Sequence, residues 1–206
     1  MPPANLTIDA IVADFAKAIE RVDAKHPIAV NQRSKEPFGA GIGPHTESAA
    51  ITLVMDDLRV NKPDRYPAFE TGVSYPSMKR QKCDLCLGTA PSWDWAIEIK
   101  LLRFLGDNGQ PNDNILMHIL SPYPEHRSAL TDCSKLLASG IAGRKAILIY
   151  GFESEDWPLA PAIDAFELLA RARAKVGARS EALFEGLVHP VHASGRVFGW
   201  EIASRG

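Results

Sequence analysis

The chain has 206 residues, 46% hydrophobic and 23% charged, which is enough to bury one sizeable core and excludes a disordered or fibrous protein. A formal net charge of -2 argues against coating nucleic acid through backbone charge alone, and three cysteines give no disulfide framework. No basic leader followed by an apolar run and no apolar stretch of spanning length occurs, so a cytoplasmic protein with reduced thiols is expected.

In chain order, Ile8, Ile11, Val12, Phe15, Ile19 and Val22 recur at helical spacing behind Thr7, a suitable N-cap. Residues 1–26 read as an N-terminal helical extension. From His26 to His45 the chain carries Pro37, Gly39, Gly41, Gly43 and Pro44 and reads as a long loop. Thr46 can cap a helix running to about Val60, with Ile51, Val54 and Leu58 inward. Glu47 falls on that same inward stripe, although an acid in a first helical turn is also favoured by the dipole.

Three strands follow: Phe69 to Tyr75, with Phe69, Val73 and Tyr75 on one side; Lys82 to Leu87; and Trp93 to Leu102. The Gly- and Pro-containing link from Gly88 to Ser92 marks the last two as antiparallel neighbours. Leu105 to Asp113 is loop. A helix is expected from Pro124 to about Ala138, ended by Gly140 and Gly143. Lys145 to Tyr150 has the unbroken apolar form of a buried strand. Pro161 opens a helix that ends near Gly177, and Ala182 to Val191 with Arg196 to Ala203 read as a hairpin around Ala193-Ser194-Gly195. The expected fold is α/β, on the α+β border: one domain over 1–206, a mixed sheet with helices on both faces, its core at 46–150 and a helix and hairpin at 151–206.

The third strand carries the chemistry. Side chains alternate along a strand, so Trp93, Trp95, Ile97, Ile99 and Leu101 face a core helix, while Glu98 and Lys100 are neighbours on the opposite face with Asp94, Ala96 and Leu102. In the preceding strand Leu85 and Leu87 share one face, Asp84 and Cys86 the other. Pairing the strands with apolar faces aligned sets Asp84 beside Glu98 and Lys100. Two carboxylates suit Mg²⁺, a hard cation that takes one or two carboxylates plus phosphate and water. Lys100 can orient or activate a water, or offset phosphate charge; the carboxylates favour its protonated form and burial opposes it.

Asp84, a turn, then Glu98-Ile99-Lys100 on the next strand resembles the PD-(D/E)xK nuclease superfamily, with its restriction-endonuclease-like fold. The resemblance spans roughly Thr46 to Tyr150. It implies a helix, a three-stranded meander, a helix and a strand; Asp84 and Glu98 as ligands of Mg²⁺ or Mn²⁺; Lys100 as the catalytic lysine; and Glu47, on the helix before the meander, as an auxiliary acid. The proline that often precedes the family's aspartate is Cys83 here. The implied activity is metal-dependent hydrolysis of DNA, and a homodimer would suit double-strand cutting. Lys79, Arg80 and Lys82 form a local basic cluster for substrate, and His45 stands near enough to Glu47 in sequence to reach a phosphate.

Other candidates have plainer readings. Arg171, Arg173, Lys175 and Arg179 suit a solvated face. Cys83-x-x-Cys86 lacks the second ligand pair of a zinc site and reads as core cysteines, while His189-x-x-His192 sits beside a turn. Gly39 to Gly43 lacks a strand before it and a Lys-Ser/Thr pair after it, so it reads as a connector or active-site loop. Tyr123, His126 and Arg127 open the helix after the meander, where they can meet either solvent or nucleic acid. Two readings stand beside the nuclease: a non-catalytic nucleic-acid-binding or assembly module of the same fold, and an enzyme acting on a small phosphate ester.

Overall fold

A computed structural model describes residues 6–31, 33–78 and 80–204. The first helix, α1 (Ile8–Asp23), begins as its pattern requires: the Thr7 hydroxyl accepts from the Ala10 N–H, and Ile11, Val12, Phe15, Ile19 and Val22 are buried. Each large apolar side chain so buried contributes about 1.5–3 kcal/mol.

The segment expected to be wholly loop contains a small two-stranded sheet, β1 (Ile28–Val30) with β2 (Pro37–Ala40). Its strands are short and largely exposed, so no alternation of buried and polar residues announces them. Helix α2 (Glu47–Asn61) follows, capped by Thr46.

The meander is β3 (Phe69–Ser74), β4 (Lys82–Thr89) and β5 (Ser92–Arg103), all antiparallel. Next come α3 (Met117–Leu120), a 3₁₀ turn at Pro124–His126, α4 (Ala129–Ala138), β6 (Arg144–Phe152), α5 (Ala160–Arg171), β7 (Lys175–Val176), β8 (Ser180–Phe184) and β9 (Gly195–Ala203). The main sheet runs β3-β4-β5-β6-β9-β7, with β8 also pairing β9. Among the described strands only β5 and β6 are parallel, the crossover between them carrying α3 and α4. The molecule is thus a mixed α/β fold with helices on both faces of its sheet. On one face α1 and α2 pack over Leu85, Leu87, Trp95, Ile97, Ile99 and Leu148. On the other, α4 and α5 pack over Cys86, Ala96, Leu102, Ile147 and Ile149. Among the described residues no helix is long and apolar enough to cross a membrane.

Four local expectations are corrected. Trp93 joins the core on the Ala96 and Leu102 face of β5, not the one on the Trp95 face. The pairing of β4 and β5 shifts between Leu87 and Gly88, and such a bulge turns one residue over. Phe69 and Val73 join opposite cores because Gly72 between them has φ of 67° and breaks the pleat. The helix expected from Pro124 is split: Arg127 adopts a left-handed conformation (φ 48°), and Ser128 caps α4 afresh, accepting from the Thr131 N–H. The final hairpin is no tight turn, since β8 ends at Phe184 and β9 begins at Gly195.

One buried aspartate ties the loops to this frame. Asp23, at the end of α1 and 1% exposed, accepts from the Ile42 N–H (2.8 Å) and the Val188 N–H (2.6 Å). Asp23→Ala strands both amides. An unsatisfied buried donor costs about 1–3 kcal/mol, so urea denaturation should show a loss of roughly twice that. A loss no larger than that of a surface substitution would mean that the loops relax to water.

Candidate functional site

The site lies where β4 and β5 part. Their backbones pair from Thr89↔Ser92 to Leu85↔Ile97. Past that point two amides of β5 are taken by side chains. The Ile99 N–H donates to Asp84 Oδ2 (2.9 Å), and the Leu101 N–H donates to Glu47 Oε2 (2.7 Å). Both acids therefore stand in for strand partners, which draws them toward Lys100.

Glu47 reaches this point because its helix start is held firmly. Arg103, at the end of β5, donates to the Gly43 carbonyl (2.6 Å) and faces Asp107 (3.4 Å). Asp107 in turn meets His192 Nε2 (3.0 Å), and the His192 ring stacks on His189 at 4.8 Å. A side chain on Gly43 would meet His192 Cβ at 2.6 Å, so only glycine lets the loop lie against that ring. The Gly39–Gly43 segment is thus a packed connector leading into α2.

Lys100 Nζ lies 3.9 Å from Asp84 Oδ2, 4.0 Å from Glu47 Oε1 and 2.8 Å from Asp132 Oδ2. Asp132 Oδ1 is 2.7 Å from Lys135 Nζ, which lies 3.1 Å from Glu98 Oε1. The Tyr75 hydroxyl donates to that same Glu98 oxygen. The charges therefore alternate in a ladder from Lys100 through Asp132 and Lys135 to Glu98. Glu98 Oε2 and Asp132 Oδ2 make no hydrogen bond, the 2.8 Å approach of Lys100 being ionic but poorly aligned.

Burial sets the protonation of the group. It pushes the Glu98 carboxyl up to about 8, Asp132 adding to the rise while Lys135 and Lys100 oppose it. Burial likewise raises Asp84 and Glu47 against the pull of Lys100. For Lys100, burial disfavours the charge, but Asp132, Glu47 and Asp84 outweigh it and hold its pKa above the ordinary lysine value. Lys100 is therefore held as an ammonium.

The structure thus gathers Glu47, Asp84, Glu98 and Lys100. Lys79 lies outside the described residues. Arg80 and Lys82 line the cleft above the site, about 1410 Å³ in volume, together with Arg127 and Arg173; His45 is not among its lining residues. The sequence reading missed Asp132, Lys135 and Tyr75. Cys83 and Cys86 are buried free thiols, as expected of core cysteines.

The donor set can be weighed against a divalent cation. Among the described residues no group of three or more His, Cys, Asp or Glu side chains is placed to hold a metal ion. Mg²⁺ does not need one, since it keeps several waters and takes one or two carboxylates. Four carboxylates (Glu47, Asp84, Glu98, Asp132) face two ammoniums (Lys100, Lys135); fully ionised, they are short by the two positive charges that one such ion supplies. Side-chain exposure decides which acids can meet it: 32% for Glu47 and 29% for Asp84, against 2% for Asp132 and 1% for Glu98. The donor set fits. Asp84 and Glu47 would hold the ion, and the buried Glu98 stays behind them in the ladder.

No protein-family model matches the chain, and no curated protein or solved structure matches it.

Proposed function

We propose that this chain is a divalent-metal-dependent phosphodiester hydrolase acting on DNA, of the PD-(D/E)xK type. One observation carries the reading: Glu47, Asp84 and Lys100 converge where β4 and β5 part, in a cleft whose exposed lining holds Arg80, Lys82, Arg127 and Arg173 alongside Asp113 and Glu125. Half-buried carboxylates beside four exposed cations suit a phosphodiester, because the cations can bind the chain's phosphates and the carboxylates can take the ion. The element order from α2 through the meander and α4 to β6, parallel to β5, supports the restriction-endonuclease-like fold that the resemblance implies.

A divalent cation at Asp84 and Glu47 would lower the pKa of a water and offset charge on the phosphoryl oxygens. Lys100, held as an ammonium, stabilises negative charge growing on the phosphate. Tyr75 and Lys135 fix Glu98 in place. A non-catalytic DNA-binding module is the second reading. What favours it is that Glu98 and Asp132 are already paired within the ladder.

The test is cleavage of supercoiled and single-stranded DNA by the full chain with Mg²⁺, Mn²⁺ or a chelator. Cleavage should need the ion. Glu98→Ala with Lys100→Ala should slow it by at least about 10²–10³-fold, the cost of losing one preorganised charge contact. Undiminished cleavage by that double variant would sink the hydrolase. Folded protein that neither cuts DNA nor gives heat with Mn²⁺ in calorimetry would point to the binding module.

A further inference from the structure

We propose that Asp132 is a positioning residue that holds the Lys100 ammonium away from Glu47 and Asp84 and so keeps those two carboxylates open to a divalent cation. This rests on the hydrolase reading above. Three acids compete for one ammonium. Lys100 Nζ sits 2.8 Å from Asp132 but 3.9 Å from Asp84 and 4.0 Å from Glu47, outside hydrogen-bonding distance of either. Asp132 wins because it is the most deeply buried of the three at 1% exposed, and a charge pair strengthens as the local dielectric falls. Helix α4 delivers it: Ser128 caps the helix, and Asp132 and Lys135 stand three residues apart over the Glu98 and Lys100 face of β5.

Without Asp132, the Lys100 ammonium has Glu47 and Asp84 as its nearest acids. It would swing onto them in charge-assisted bonds of about 2.8 Å, taking up the oxygens a cation needs. A purely structural pair would affect stability and leave the cation affinity of the folded protein alone.

The experiment is Mn²⁺ calorimetry on the full chain, comparing the parent with Asp132→Asn, Lys100→Ala and the double variant. Asp132→Asn should bind Mn²⁺ about 10–100-fold more weakly, the cost of losing a group that orients metal ligands. The double variant should match Lys100→Ala within a few-fold, since Asp132 acts through Lys100. Unchanged affinity in Asp132→Asn overturns the proposal, and so does a double variant as weak as Asp132→Asn. The double variant strands neither charge and shows whether Asp132 acts through Lys100; where Asp132→Asn does not fold, Asp132→Glu, which moves the carboxylate but keeps its charge, takes its place and should also weaken Mn²⁺ binding, unchanged affinity overturning the proposal. A crystal structure of the aspartate variant separates this proposal from the reading beneath it. Should the parent take up no Mn²⁺, the metal reading fails, while Lys100 bonded to Glu47 or Asp84 would still support the role of Asp132. Lys100 unmoved would end it.

Discussion

Lys135→Ala is expected to destabilise the protein by about 3–5 kcal/mol, the cost of removing one partner from a buried ion pair. That is a fall of about 6–20 °C in melting temperature for a chain of this size. Lys135 is the cation shared by Glu98 and Asp132, at 3.1 and 2.7 Å, and both acids are almost wholly buried. Its ammonium also lies 5.5 Å from the centre of the Tyr75 ring, a further favourable contact. Alanine leaves Glu98 with the Tyr75 hydroxyl alone and Asp132 with Lys100 alone. Above pH about 8, where Glu98 is ionised, adding Glu98→Gln removes a charge that Lys135 matches, so the double variant should recover part of the loss there. A double-mutant cycle should return a coupling of about 0.5–3 kcal/mol. A single-variant loss below about 1 kcal/mol, as for an exposed pair, would show that water reaches Glu98 and that the ladder is not a buried unit.

How this ladder escaped the sequence is instructive. Asp84, Glu98 and Lys100 were legible because a strand alternates, and the heavy apolar face of β5 leaves no choice about which side is polar. Glu47 was legible from its place on the inner stripe of α2. Asp132 and Lys135 were not, because charged residues on an amphipathic helix are assigned outward by default. Their inward burial becomes favourable only over a sheet face that already carries Glu98 and Lys100. The available signal was the spacing of Asp132 and Lys135, next to Cys133 and Leu136 on the buried side of α4. Trp93 was misplaced for a different reason. Alternation assumes an unbroken pleat, and the bulge beside the β4–β5 turn is set by turn geometry that side-chain pattern does not encode. The pairing of candidate carboxylates also shifts. Alternation put Asp84 with Glu98, whereas the parting of β4 and β5 brings Glu47 forward as the second open carboxylate.

The second large effect concerns pH and divalent ions together. The folded-state pKa of Glu98 lies above its ordinary value of 4.5, at about 8. A carboxyl raised on folding favours the folded state fully below its unfolded pKa, and that contribution is lost as pH rises through the folded value. Glu47 and Asp84 shift in the same direction, so they act with Glu98. Asp14 acts oppositely. Burial pushes its carboxyl up, but hydrogen bonds from Lys62, Arg65 and Tyr66 outweigh burial and hold it below 3.8. Its contribution is present above that value and lost in acid. The metal-free protein should therefore lose stability on the acid side through Asp14. From the upper carboxylate range to pH about 8 it should lose melting temperature again, through the site. Glu98→Gln should flatten that second fall and leave the first unchanged. An ion bound only by the folded state stabilises it by about 2.7 kcal/mol at a hundredfold excess over its dissociation constant. Mg²⁺ or Mn²⁺ should thus raise the melting temperature near pH 8 by about 5–10 °C, and by less in acid, where protons hold the same oxygens. A melting temperature that ignores both ions near pH 8 would mean that Lys100 and Lys135 alone match the carboxylates, and would leave the exposed cations of the cleft as a surface for binding without hydrolysis.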